Sequence, residues 1–130
     1  MLKSNLMEMD QKSILIVEDE GIVSIDIRNI LNRLGYTVPA VAFTGAEAIQ
    51  QSEEFNPDLI LMDIGLKGEM DGIDAACLIK KKFGIPILFL TGFADDNTLQ
   101  RAKSADPVGY VVKPINEKEL QDTIEKVFVP

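Results

Sequence analysis

The stretch Ser13-Ile14-Leu15-Ile16-Val17-Glu18-Asp19-Glu20 runs four branched apolar residues straight into three carboxylates. Continuous rather than alternating apolar character marks a strand buried on both faces, and the abrupt change to charge marks where it leaves the sheet. Leu59-Ile60-Leu61-Met62-Asp63 repeats the pattern and again ends on a carboxylate. Two strands of this kind predict a parallel sheet with helices on both faces.

The segments around these strands carry the helical period. Val23, Ile27, Ile30, Leu31 and Leu34 fall on one face of a helix that stops at Gly35. Thr44 with Glu47 is a capping box opening a second helix through Phe55, and Asn56-Pro57 closes it because a residue before proline avoids helical dihedrals. After a glycine-rich loop from Gly65 to Gly72, Ile73, Ala76, Ile79, Lys80 and Phe83 trace a third helix, and Asp95 to Lys103 a weaker, more polar fourth. Asn116 caps a fifth, with Glu119 at its third position and Ile115 and Leu120 as a hydrophobic staple.

Thr37 to Ala42, Ile85 to Leu90 and Gly109 to Val112 supply the remaining strands. Five strands alternating with five helices predict an α/β chain of flavodoxin-like (βα)5 type, a three-layer sandwich with right-handed crossovers. Its five-stranded parallel sheet would have the order 2-1-3-4-5. Pro39 agrees with that order, which puts its strand at an edge where a missing N–H is tolerated. The alternation alone also allows half of a Rossmann fold.

The 130 residues suffice for one core without disulfides or structural metal, so a single domain is expected. Residues 13–128 form that unit, and residues 1–12, which mix Leu2, Leu6, Met7 and Met9 with Lys3, Glu8, Asp10 and Lys12, read as a flexible tail. A net charge of −8 opposes direct nucleic-acid binding or adsorption to an anionic membrane, and no apolar run is long enough to span one. Cys77, the only cysteine, excludes an internal disulfide and fits a reducing cytoplasm. With no histidine, the chain can build neither a Ser-His-Asp unit nor a phosphohistidine of its own.

In open parallel sheets ligands bind outside the carboxyl ends of the strands. Glu18 and Asp19, Asp63, Thr91 and Lys113 stand at the ends of the first, third, fourth and fifth strands. Adjacent strands lie about 4.8 Å apart, so these residues can converge on one small volume. Singly, each has a bland reading: helix-start charge, cap, strand-end hydroxyl, surface lysine. Together, three carboxylates around one lysine ask for a divalent cation, and a few hard oxygen donors suit Mg²⁺. A carboxylate beside such an ion can act as a nucleophile.

These residues resemble the receiver domains of two-component response regulators. The matching pieces are Ile14-Leu15-Ile16-Val17-Glu18-Asp19-Glu20, Leu61-Met62-Asp63, Met70-Asp71-Gly72, Leu90-Thr91-Gly92 and Gly109-Tyr110-Val111-Val112-Lys113-Pro114. The resemblance implies that Asp63 is the phosphoacceptor, that Asp19 is the principal Mg²⁺ carboxylate with Glu18 as a second, and that the Gly65 backbone carbonyl is a further ligand. It implies that Thr91 and Lys113 grip the phosphoryl group, that Lys113-Pro114 is a cis bond, and that Tyr110 is a switch aromatic. A half-buried strand tyrosine is the alternative reading of Tyr110.

The partners implied are a sensor histidine kinase or histidine phosphotransfer protein upstream and an output protein or tethered domain downstream. The chain would promote only its own phosphorylation and dephosphorylation, in the cytoplasm, and no output module is expected after Pro130. That ending fits a single-domain protein and equally a module of a multidomain regulator or hybrid sensor kinase. Two readings from other classes stay further off. A haloacid-dehalogenase-like phosphatase needs an acid two residues after its nucleophile, where Gly65 stands, and no glycine-rich nucleotide motif follows a strand. The Gly65–Gly72 loop is one residue longer than the commonest receiver version, and Glu18 replaces a frequent aspartate. With the bare Gly65, these departures are expected to tune the lifetime of the phosphoaspartate.

Overall fold

Apolar runs of four or five residues are too short for buried helices, and here they pair side by side as parallel strands. The computed structural model describes residues 11–92 and 95–129. Its strands are β1 (Ile14–Val17), β2 (Val41–Ala42), β3 (Leu59–Asp63), β4 (Ile87–Thr91) and β5 (Gly109–Val112), in the order β2-β1-β3-β4-β5. The helices are α1 (Gly21–Arg33), α2 (Gly45–Phe55), α3 (Gly72–Phe83), α4 (Asp96–Lys103) and α5 (Glu117–Phe128). This is the flavodoxin-like order expected.

Successive side chains of a strand point to opposite faces, so each central strand feeds two cores. Ile14, Ile16, Leu59, Leu61, Leu88 and Leu90 meet Ile27 and Leu31 of α1 and Leu120 and Ile124 of α5. Leu15, Val17, Ile60, Met62, Ile87 and Phe89 meet Ala48 of α2, Ile73, Ala76 and Ile79 of α3, and Ala102 of α4.

The register positions the strand ends. Val17 pairs with Met62, Asp63 with Leu90, and Thr91 with Val112. Glu18, Asp63, Thr91 and Lys113 therefore emerge at nearly one level.

Boundaries differ where proline intervenes. Thr37 bridges Ser13 and accepts the Ile14 N–H at 2.8 Å, but the ladder resumes only at Val41, so β2 has two residues. Pro39 lies in the gap and offers no donor. β4 likewise begins after Pro86 and extends to include Thr91.

The caps follow local chemistry. Thr44 Oγ1 accepts the Glu47 N–H at 3.1 Å, while the Glu47 carboxylate reaches the N–H of Phe43, one residue earlier than a capping box requires. Asn116 Oδ1 accepts the Glu119 N–H at 2.9 Å, and Ile115 packs in the same core as Leu120. Asn56 ends α2 in the left-handed region (φ 43°), not the extended one that a following proline favours; asparagine tolerates this.

The expected tail falls largely on residues 1–10, outside the described residues; the Lys12 carbonyl accepts the Thr37 N–H at 2.9 Å. Among the described residues no helix is long and apolar enough to cross a membrane.

Candidate functional site

β3 is buried along its whole length, and Asp63 at its end is only 4% exposed. One oxygen, Oδ1, accepts the Gly65 N–H at 2.9 Å and lies 3.4 Å from Lys113 Nζ. Among the described residues no hydrogen bond reaches Oδ2. One oxygen is thus held and the other is left available.

Lys113 follows β5, and its backbone N–H binds the Thr91 carbonyl at 2.7 Å. The Lys113-Pro114 peptide bond is cis. The Lys113 ammonium lies 2.6 Å from Glu18 Oε1 as well as near Asp63. Burial pulls the Lys113 pKa down, but the Glu18 contact and the Asp63 charge outweigh it, so the net shift is upward. Burial dominates at Glu18 and raises its pKa, against the lowering influence of Lys113 and the Glu20 N–H. Glu18 is fully buried and lies beneath the cleft rather than lining it.

Above these groups opens a cleft of about 520 Å³ lined by Asp19, Glu20, Asp63, Gly65, Thr91 and Lys113, among others. Thr91 is 7% exposed. Asp19 Oδ2 accepts the Lys67 N–H at 3.1 Å and so pins the loop after β3. Of the expected set, Asp19, Asp63, Gly65, Thr91 and Lys113 share the cleft. Tyr110 stands outside it: its ring stacks on Phe89 at 6.0 Å and is 37% exposed on β5.

The donor set fits a hard divalent cation. Carboxylate oxygens of Glu18, Asp19 and Glu20 come within 4.8 Å of one another, and the Lys113 ammonium at 2.6 Å from Glu18 Oε1 offsets only part of that charge. Such carboxylates repel unless a cation joins them.

Sequence reasoning did not single out Glu20 as a site residue, although its N–H donates to Glu18 Oε2 at 3.1 Å and its side chain lines the cleft. It also assigned no role to Gly72. A Cβ there would lie 2.0 Å from the Asp63 carbonyl oxygen, so only glycine lets α3 start directly against the end of β3. The Met70-Asp71-Gly72 motif was the available signal. Asp95, Thr98 and Arg101 also line the cleft, for which the polar helix held no signal.

A parallel sheet in the order β2-β1-β3-β4-β5, with carboxylates, a threonine and a lysine gathered at its carboxyl ends, defines a receiver-type α/β domain. Residues 14–125 match the response regulator receiver domain, and the chain belongs to that family. It is 37% identical over 114 residues to the transcriptional regulatory protein PdtaR of Mycobacterium tuberculosis, covering 88% of this chain and 55% of that protein. It therefore spans about half the length of that relative.

Among solved structures, the signal receiver domain of a modulated diguanylate cyclase from Desulfovibrio desulfuricans superposes with a TM-score of 0.87 at 36% identity, covering 91% of this chain and 94% of that one. The N-terminal domain of a response regulator/sensory box/GGDEF three-domain protein from Carboxydothermus hydrogenoformans gives 0.80 at 40% identity, covering 90% and 94%. Receiver domains are signalling phosphoacceptors of two-component systems rather than enzymes acting on a separate metabolite.

Proposed function

We propose that Asp63 accepts a phosphoryl group from a phosphohistidine of a sensor histidine kinase or histidine phosphotransfer protein. The observation that carries this is the asymmetry of its carboxylate: Oδ1 is held by Gly65 N–H and Lys113, while Oδ2 takes no hydrogen bond among the described residues. In the transfer, an Asp63 oxygen forms a bond to phosphorus as the donor's P–N bond breaks, and the imidazole leaves and takes a proton. Lys113 offsets charge on the phosphoryl oxygens, and the Thr91 hydroxyl donates to one of them. With no histidine among these 130 residues, the donor phosphohistidine lies outside this stretch of sequence.

Asp19, Asp63 and the Gly65 carbonyl would hold Mg²⁺, with Glu18 acting partly through water. When bound, the ion supplies charge neutralisation between carboxylates and phosphoryl oxygens. Phosphorylation then shifts the surface of α4, β5 and α5 through Thr91 and Tyr110, because the phosphoryl-to-threonine contact exists in only one state. The output acts through a partner or a tethered domain, and the chain itself makes no contact with nucleic acid.

Incubation with acetyl phosphate and Mg²⁺ followed by intact-mass measurement tests the reading. One added phosphoryl group is expected on the wild type and none on Asp63→Asn or in EDTA. An unmodified wild type, or equal labelling of the variant, would overturn it.

A further inference from the structure

Arg101 sits on α4 and lines the same cleft as Asp63. Its Nη1 donates to Asp71 Oδ2 at 3.1 Å, and its Nη2 to Asp74 Oδ1 at 3.1 Å. Asp71 caps α3, its other oxygen accepting the Asp74 N–H at 2.9 Å, and Asp74 lies in the first turn of that helix. One guanidinium therefore ties α4 to the place where the loop after β3 becomes α3.

Little else seats α4. It has eight residues, of which only Ala102 is buried. Among the described residues, Arg101 makes the only ion pairs that leave this helix. The contacts of Cys77 with Ser104 and of Lys80 with Asp106 hold the segment after it instead. On its other side, an apolar groove of about 290 Å³ lined by Thr91, Leu99, Lys103, Tyr110 and Val112 separates α4 from β5. The helix is clamped at one flank and has space at the other.

We propose that Arg101 is a positioning residue, a clamp that holds α4 against the start of α3 and opposes the displacement of α4 that phosphorylation favours. The inference rests on the phosphoacceptor reading of Asp63. A ligand that favours displaced α4 must work against the two ion pairs, so removing them raises its apparent affinity. A rival role gives the opposite sign. If Arg101 instead swung across the cleft to bind the phosphoryl group, its loss would weaken binding, and freeing it from Asp74 would strengthen binding.

The test is a titration of the full chain with beryllofluoride in Mg²⁺, an acyl-phosphate mimic, for wild type, Arg101→Gln, Arg101→Lys and Asp74→Ala. Half-exposed ion pairs are weak, so Arg101→Gln should tighten binding about two- to fivefold, Asp74→Ala by less, and Arg101→Gln combined with Asp74→Ala no more than Arg101→Gln alone. Arg101→Lys, which can keep one contact, should fall between Arg101→Gln and wild type. Hydrogen exchange without any ligand should quicken at the α4 amides of Arg101→Gln while those of β3 stay unchanged.

Unchanged affinity and exchange would overturn the clamp, as would opposite signs for Arg101→Gln and Asp74→Ala. Failure of the wild type to bind beryllofluoride would instead count against the phosphoacceptor reading, and the proposal would fall with it. The exchange measurement needs neither metal nor phosphoryl group and so separates the two failures.

Discussion

β3 and the α4–β5 edge both border the cleft, yet they are built differently. All five residues of β3 are buried, whereas of α4 and β5 together only Ala102 and Val111 are, and Val112 is 55% exposed. β3 has strands on both sides and helices on both faces, while β5 ends the sheet and has α4 only loosely over one face. Chemistry that depends on sub-ångström placement belongs on the first kind of element. A surface that has to change belongs on the second, because regions with few buried apolar contacts open at low cost.

Lys113 crosses this division, since it follows the loose strand but its ammonium ends in the tight region. Lys113→Met should therefore cost about 3–5 kcal/mol near neutral pH by leaving the buried Glu18 carboxylate without its cation. Glu18 already has a raised pKa, and removing the lysine raises it further. A carboxyl with a raised folded pKa binds protons more tightly folded than unfolded, so the deficit should shrink as pH falls through that value toward the usual 4.5. Urea unfolding in EDTA across that range checks it; a deficit independent of pH would show that Glu18 is not its source.

Leu61→Ala and Val112→Ala compare the two regions directly. The first should lose about 3 kcal/mol through a cavity in the α1–α5 face, the second less than about 0.5 kcal/mol. Equal losses in denaturant unfolding would erase the contrast. Gly72→Ala should lose about 2 kcal/mol by forcing α3 away from the Asp63 carbonyl. It should also reduce acetyl-phosphate labelling of Asp63 in protein shown by circular dichroism to be folded. Normal labelling would mean that the close contact does not position the site.

Much of this was legible beforehand, and the reason is local. A doubly buried strand must be continuously apolar, so the β1 and β3 runs announced their place and the carboxylates ending them announced the cleft. Asn116 and Glu119 cap α5 by contacts within four residues. The short β2 was not legible, because whether Pro39 interrupts a ladder depends on what lies beside it. Gly72, Glu20 and Arg101 were missed for the same reason. A glycine in a loop, a glutamate in an acidic run and an arginine on a polar helix gain meaning only from their neighbours in space.

The sequence by itself determined the alternating elements, the doubly buried strands and the polar residues at the ends of four of the five strands, since these follow from periodicity and side-chain chemistry. Only the tertiary structure decided that Glu18 lies under the cleft bound to Lys113, that Asp63 Oδ2 takes no hydrogen bond among the described residues, and that Arg101 bridges α4 to α3. The Lys113 and Arg101 contacts depend on strand register and helix placement across separations of 27 residues or more, where no local pattern reaches.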